Sequence, residues 1–449
     1  ICSLPFDWCT KYLSGNGVLI ESDHIFRLRV SNMLSCVRAI PKASVVRCFS
    51  ASPFANVTRP KPDPIFFLGE QFDADPDPRK VILGVGAYRD ENGKPYVLPC
   101  VREAEKRLCC TQDHEYPSLI GIPAFYDAAC KFAWGDKLYN EKKDVIANAQ
   151  AISGSGSLRL LAQFLKNCNI TGKVNFPNPT WTNQHTIFRN AGMPTGDYTY
   201  LSTESPVLDF KGMMDDINKA DDHSCFVFHA CAHNPTGVDP SHEQWDEISE
   251  LCKKKNHIVL FDAAYLGYCS GSVAYDAYAF RKFVEDGHNV ALTLSFSKNF
   301  GLYGERAGIV SIVTGSPKER ENVVEQLKIG ARALWSCPPL YGARIVTTVL
   351  NDPVLFKQWE GECAAMSQRI KDMRALLVEN LKKCGSKRDW SHIVKQSGMF
   401  SYTGLTVPQI ERLRTEFHVY ILPSSRASVA AINPHNVEYI AKAMHEVTK

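Results

Sequence analysis

A chain of 449 residues, 45% of them hydrophobic, can bury a large core and is long enough for two domains. A net charge of +3 with both signs interspersed leaves no nucleic-acid footprint, and no apolar run reaches the ~18 residues of a membrane-spanning helix. The 16 cysteines are scattered without Cys-x-x-Cys spacing, the usage of a reducing compartment rather than of a disulfide frame.

From His24 to Pro62 there is no Asp or Glu, against five Arg and two Lys. Basic, serine-containing and acid-free is the pattern of an organellar transit segment. The expected leader is residues 1–57, with Met33 as the physiological start and cleavage near Arg47. The destination expected is the mitochondrial matrix, with plastid or cytoplasm as alternatives. Thr58-Arg59-Pro60-Lys61-Pro62-Asp63-Pro64 then reads as an extended arm suited to lying on a partner subunit.

Val81 to Asp90 is an apolar run broken by Gly84 and Gly86, followed by the turn Asp90-Glu91-Asn92-Gly93-Lys94-Pro95. Gly86 leaves the backbone open to close approach. Ser153-Gly154-Ser155 opens a helical run. Small residues there either cap the helix or leave backbone N–H groups free for an anion. Trp181 ends the turn after Val174-Asn175-Phe176 and is either core or a stacking surface.

Cys225 to Cys231 reads as a strand leading to Asn234. His229, Cys231 and His233 would share a face, a metal-like trio. No carboxylate or further Cys near them in the sequence completes a set, so no metal is expected. His257 to Phe261 is a second strand, ending in Asp262-Ala263-Ala264-Tyr265. An aspartate behind an apolar run is costly to bury unless paired, and a pyridinium N–H is such a partner. Val290 to Leu294 is a third strand, and Ser295-Phe296-Ser297-Lys298 follows it, with Arg306 further on. A lysine in a partly dry pocket can attack a carbonyl and form a Schiff base. The neighbouring hydroxyls, glycines and arginine suit a phosphate. Three strands thus each deliver a polar group at the carboxyl end, where open parallel sheets bind ligands. A Schiff-base lysine beside a phosphate site points to pyridoxal 5′-phosphate.

Lys357 to Lys383 carries apolar residues at helical spacing and is closed by Gly385. Beyond it, a strand at Met399–Tyr402, a helix near Pro408–Phe417 and the run Val419 to Val429 form a smaller domain. There Arg426 is either a carboxylate ligand or a surface group.

With these residues in place, the chain resembles the aspartate aminotransferases of the class I, fold-type I pyridoxal-phosphate enzymes. The resemblance runs from about Pro64 to Lys449 and rests on Leu83 to Asp90, Ala232-His233-Asn234-Pro235-Thr236-Gly237, Ser295 to Gly308, and the surroundings of Arg426. It implies an α/β fold with a mostly parallel central sheet, helices on both faces and a smaller α/β domain. The large domain would span 96–360, and the small one 58–95 with 361–449.

The resemblance also implies roles. Lys298 would bond the cofactor and move the substrate's proton. Asp262 would pair with the ring nitrogen, Tyr265 and Asn234 would bond the ring hydroxyl, and Trp181 would stack on the ring. Ser153, Gly154, Ser155, Ser295, Ser297 and Arg306 would hold the phosphate, with Tyr116 arriving from the other subunit of a homodimer that shares its sites. Arg426, helped by Gly86, would take the α-carboxylate, and Arg281 of the partner the side-chain carboxylate. The implied reaction is ping-pong exchange of an amino group between aspartate and 2-oxoglutarate.

Three positions depart from the family pattern: Gln184 in place of a histidine, Ala263 in place of a larger apolar residue, and Cys337 in place of an asparagine. Three other readings remain at this point: an aromatic or kynurenine-type aminotransferase, a decarboxylase or lyase on the same fold, and a catalytically silent relative.

Overall fold

Eleven strands are present among residues 52–449, which are the residues described by this computed structural model. They are β1 (Val81–Ile82), β2 (Ile146–Ile152), β3 (Val174–Asn178), β4 (Thr195–Thr199), β5 (Cys225–His229), β6 (Ile258–Ala263), β7 (Ala291–Ser295), β8 (Ala307–Val313), β9 (Phe400–Tyr402), β10 (Val419–Tyr420) and β11 (Arg426–Ser428). Most of the expected transit segment, with Met33 and Arg47, lies outside these residues. Residues 58–61 are in neither helix nor strand, as the proline spacing requires.

Seven strands pair in the order β2-β8-β7-β6-β5-β3-β4. Every pairing is parallel except those of β8, which runs antiparallel to both β2 and β7. The sequence reason is plain in β5, Cys-Phe-Val-Phe-His, and β7, Ala-Leu-Thr-Leu-Ser, where every residue is buried. A strand covered by helices on both faces has no solvent side, so its apolar residues run continuously instead of alternating. Phe228, Phe261, Phe280 and Phe283 pack beneath β5 and β6, with Phe261 and Phe283 edge-to-face at 5.1 Å. Each such ring removed from water contributes about 1.5–3 kcal/mol.

The remaining strands form two small sheets. β1 pairs in parallel with β10, and β9 pairs antiparallel with β11. The helix Pro353–Lys383 runs alongside them, N-capped by Asp352 and stopped at Gly385, whose φ of +78° suits glycine. Buried Arg374 on this helix donates to the carbonyls of Ile393, Gly398 and Phe400 and so anchors the approach to β9. No helix among the described residues is long and apolar enough to cross a membrane.

Candidate active site

β5, β6 and β7 are neighbours in the sheet, so whatever follows their carboxyl ends is brought to one rim. Beyond β5 the chain turns through Ala232, at φ +50°, to Asn234. The Asp239 carboxylate fixes that turn by accepting the N–H groups of Ala232 (2.7 Å) and His233 (2.8 Å). β6 presents Asp262 and, just past its end, Tyr265. β7 leads to Lys298. All four line one cavity of about 260 Å³, together with Gly86, Ser153, Gly154, Ser155, Trp181, Ser295, Ser297, Arg306 and Arg426. A larger open hollow of about 560 Å³, between Arg79 and Tyr439, holds none of the candidate cofactor- or substrate-binding residues. Size therefore does not choose the site; chemistry does.

The Lys298 amine donates to the Gly86 carbonyl at 2.5 Å and lies 4.8 Å from the Tyr303 ring centre. Burial, with Arg426 and Arg306 nearby, pushes it down to about 8. A neutral amine is thus accessible near neutral pH, as a nucleophile requires. Gly86 has a packing reason as well. A Cβ there would meet Phe400 at 2.9 Å and approach the Lys298 nitrogen to 3.8 Å.

An anion cradle stands at the other end of the cavity. Ser153 Oγ is 2.9 Å from Ser295 Oγ and 2.6 Å from Ser297 Oγ, and Arg306 donates to Ser297 Oγ at 3.3 Å. The helix Ser153–Asn167 has no side-chain cap, so its first N–H groups are free, which decides between the two readings of that helix start. Gly308 makes the arrangement possible. A Cβ there would stand 2.6 Å from the Leu294 carbonyl and 2.8 Å from Ser153 Cα. Ser153 and Arg306 both hold left-handed backbone, at φ +60° and +57°, a local strain that the fold keeps at this rim.

Asp262 is enclosed, and burial pushes its carboxyl up to about 6. Its partners are neutral: the Gln184 amide at 2.7 Å and the Thr293 hydroxyl. The Gln184 oxygen is 2.6 Å from Thr180 Oγ1 and 3.2 Å from His229 Nε2, and His229 Nδ1 accepts the N–H of Asn234 at 3.2 Å. Thr180 and His229 are not legible in the sequence as members of this relay, where His229 stands out only in the metal-like trio. His229 and His233 stack at 4.3 Å, and burial pushes the first down to about 3. His229 Nδ1 receives the Asn234 N–H, and His233 Nδ1 faces Thr236 Oγ1 at 2.7 Å.

Arg426, 4% exposed, lies 4.0 Å from the Phe400 ring centre and donates to the Gly84 carbonyl (2.9 Å) and Asn234 Oδ1 (3.2 Å). Its Nε is buried without a partner. A fixed guanidinium with a donor left over is suited to a carboxylate. Trp181 packs on the core and also faces the cavity.

Two expected residues stand elsewhere. Tyr116 is 84% exposed and does not line this chain's own cavity. Arg281 requires a correction. Its Nε donates to the Ala133 carbonyl at 2.8 Å and a terminal nitrogen to that of Phe132 at 3.3 Å, closing the end of the helix Pro123–Trp134. A guanidinium committed to a helix C-terminus inside its own chain does not reach across to a neighbour's substrate.

Taken together, the cavity fits a planar, phosphorylated, cationic ring. It provides a cradle for the phosphate, an amine for a carbonyl, and a buried carboxylate whose partners are all neutral and which therefore calls for a cation.

Comparisons agree with this chemistry. The family description "Aminotransferase class I and II" matches residues 78–444. A mitochondrial aspartate aminotransferase of Dictyostelium discoideum is 50% identical over 408 residues, covering 90% of this chain and 96% of the relative. A cytoplasmic aspartate aminotransferase of Saccharomyces cerevisiae superposes with a TM-score of 0.86 at 41% identity, covering 89% of this chain and 99% of that one. An aromatic-amino-acid aminotransferase of Burkholderia pseudomallei, covalently bound to pyridoxal phosphate, gives 0.86 at 40% identity over 89% and 100%.

Proposed function

The chain belongs to the class I and II aminotransferase family, and on that footing we propose that it is an aspartate aminotransferase, moving an amino group from L-aspartate to 2-oxoglutarate to give oxaloacetate and L-glutamate. The observation that carries the reading is the meeting of Lys298, Asp262, Arg306 and Arg426 in one cavity.

Pyridoxal 5′-phosphate is the cofactor of this reading. When bound, it supplies a carbonyl for amines and a cationic ring that withdraws electrons from the substrate's α-carbon. Lys298 would anchor it covalently and would move the proton at that carbon. Asp262 holds the ring nitrogen protonated, backed by Gln184. Asn234 and Tyr265 bond the ring hydroxyl, Trp181 covers one face, and Ser153, Gly154, Ser155, Ser295, Ser297 and Arg306 hold the phosphate. Arg426 takes the α-carboxylate at the space left by Gly86.

The site is completed by a second copy of the chain. Cys337 Sγ donates to the Pro117 carbonyl at 3.2 Å, so the Tyr116 segment and the connection before Tyr341 travel together. The exposed arginine beside them is Arg332, whose single contact is with Ser336 Oγ at 3.4 Å, whereas Arg344 is paired with Asp113. We assign to Arg332 of the partner the side-chain carboxylate, the role expected of Arg281. Exposed Ile329, on the helix Pro317–Leu334 that also carries Arg332, and Tyr341 are apolar surface for that interface.

The division into a large domain (96–360) and a small one (58–95 with 361–449) is supported by the confinement of the seven-stranded sheet to 146–313. A mitochondrial matrix location is supported by the acid-free leader and by relatives named mitochondrial.

A second reading, an aromatic-acid aminotransferase, is favoured by the Burkholderia likeness. The deciding experiment is the absorption spectrum of the purified, cofactor-loaded protein. Aspartate should convert the bound cofactor to its amine form and 2-oxoglutarate should restore it, with phenylalanine far slower. No response to aspartate overturns the proposal.

A further inference from the structure

The ligands that Cys231 lacks in its own stretch of sequence lie on another connection. The fold brings them in. Cys231, Cys269 and Asp276 are each under 9% exposed, and their two sulfurs and a carboxylate oxygen all lie within 4.8 Å of one another. We propose that this cluster is a zinc site, with two thiolates, one carboxylate and a water as ligands.

The donor set is right for the ion. Thiolate sulfur selects zinc and its softer congeners over magnesium or calcium, and two sulfurs on a tetrahedral zinc stand about 3.8 Å apart, a separation compatible with ligand atoms that all lie within 4.8 Å of one another. The carboxylate is already oriented: Asp276 accepts the Gly267 N–H at 2.8 Å and the Ser270 N–H at 3.1 Å. A second acid, Asp239, stands behind Cys231 and is held by the Ala232 and His233 N–H groups and by the Ser397 hydroxyl at 2.6 Å. Both acids therefore have neutral partners, an arrangement that a bound cation completes. An entry path exists, because Cys231 lines the active-site cavity. Binding replaces two thiol protons, which leave to solvent as Zn–S bonds form.

The consequence is mechanical. Cys231 lies just before Asn234, and Cys269 just after Tyr265. One ion would clamp together the two connections that present these groups to the cavity. The proposal concerns metal binding and stands or falls separately from the amino-transfer reading.

The test uses the full-length, cofactor-loaded protein, stripped with a chelator and then desalted after exposure to zinc or to cadmium as a spectroscopic probe. One zinc per chain should be retained, cadmium should give an ultraviolet thiolate charge-transfer band, and zinc should raise the melting temperature. Cys269→Ala should lose the retained metal and the band while keeping the cofactor's visible absorption. Replacing the exposed neighbours, Cys109→Ser with Cys110→Ser, should change neither. In the unmodified protein, zinc should shield Cys231 and Cys269 from alkylation mapped by mass spectrometry, a readout that does not depend on a variant folding. The proposal is overturned by absence of retained zinc, by a band that survives Cys269→Ala or vanishes with Cys109 and Cys110, or by equal alkylation with and without zinc.

Discussion

Gln184 donates its side-chain N–H to Asp262 at 2.7 Å, and the direction of that bond is set from behind. Its oxygen is occupied by Thr180 and His229, so its nitrogen must face the carboxylate. A neutral amide here supports the Asp262 anion without adding charge. Gln184→His supplies a donor that can ionise and should shift the pH midpoint of the bound cofactor's absorption. Gln184→Leu should lower turnover about 5- to 150-fold, the effect of about 1–3 kcal/mol for a buried acceptor stripped of a partner. Unchanged midpoints in both variants would remove Gln184 from any tuning role.

The Asp262 carboxyl, pushed up to about 6 by burial, makes the cofactor-free protein pH-sensitive. Between its unfolded value near 4 and about 6, the folded state binds the extra proton, so stability contributed by this group falls as pH rises and is level above 6. The difference in stability between the unmodified protein and Asp262→Asn should widen by at most about 3 kcal/mol across that window, less where cavity water screens the charge. Cofactor loading should abolish the trend. Denaturant melts at a series of pH values measure it.

Lys298 is expected to react as a free amine. With its ammonium pushed down to about 8, the rate at which cofactor-free protein takes up pyridoxal phosphate should rise through about pH 8 and then level. Lys298→Ala should retain no cofactor after borohydride reduction and have no measurable turnover. Stopped-flow absorbance and mass spectrometry give the two readouts.

Arg332 and Arg281 can be separated by substrate. Arg332→Leu should raise KM for aspartate and lower kcat/KM about 10- to 100-fold, corresponding to about 1.5–3 kcal/mol for a charge-assisted bond, while sparing an apolar amino acid. Arg281→Leu should lower the melting temperature instead, because it opens a helix end, and leave the ratio of aspartate to phenylalanine turnover unchanged.

Gly86→Ala places a methyl 2.9 Å from Phe400, the ring on which Arg426 rests. The expected result is a loss in kcat/KM exceeding the loss in stability, since the displaced atoms are those that face substrate. A crystal structure of the variant with Phe400 and Arg426 unmoved would contradict this.

The three strand ends were legible because doubly covered parallel strands spell themselves as apolar runs, and a polar residue at the end of one stands out. Asp262, Lys298 and Asn234 were found that way. What remained hidden depends on packing rather than on pattern. The direction of β8 leaves no trace in its apolar composition, and the pairing of β1 with β10 leaves little in strands as short as Val81–Ile82. Arg281 was misread because a sequence does not reveal whether a guanidinium is engaged by carbonyls at a helix end. Cys269 and Asp276 could not be joined to Cys231, since no spacing rule spans two separate crossovers.

The reversed course of β8 has one more effect. It puts the start of that strand on the rim where β7 finishes, so Lys298 and Arg306 ride on the same short connection. A phosphate held at one end of this loop would keep an aldehyde on the same molecule near the other at an effective concentration in the millimolar range or above, as for any two linked contacts. Capture is therefore bivalent, and an unphosphorylated analogue should load slowly however reactive its aldehyde.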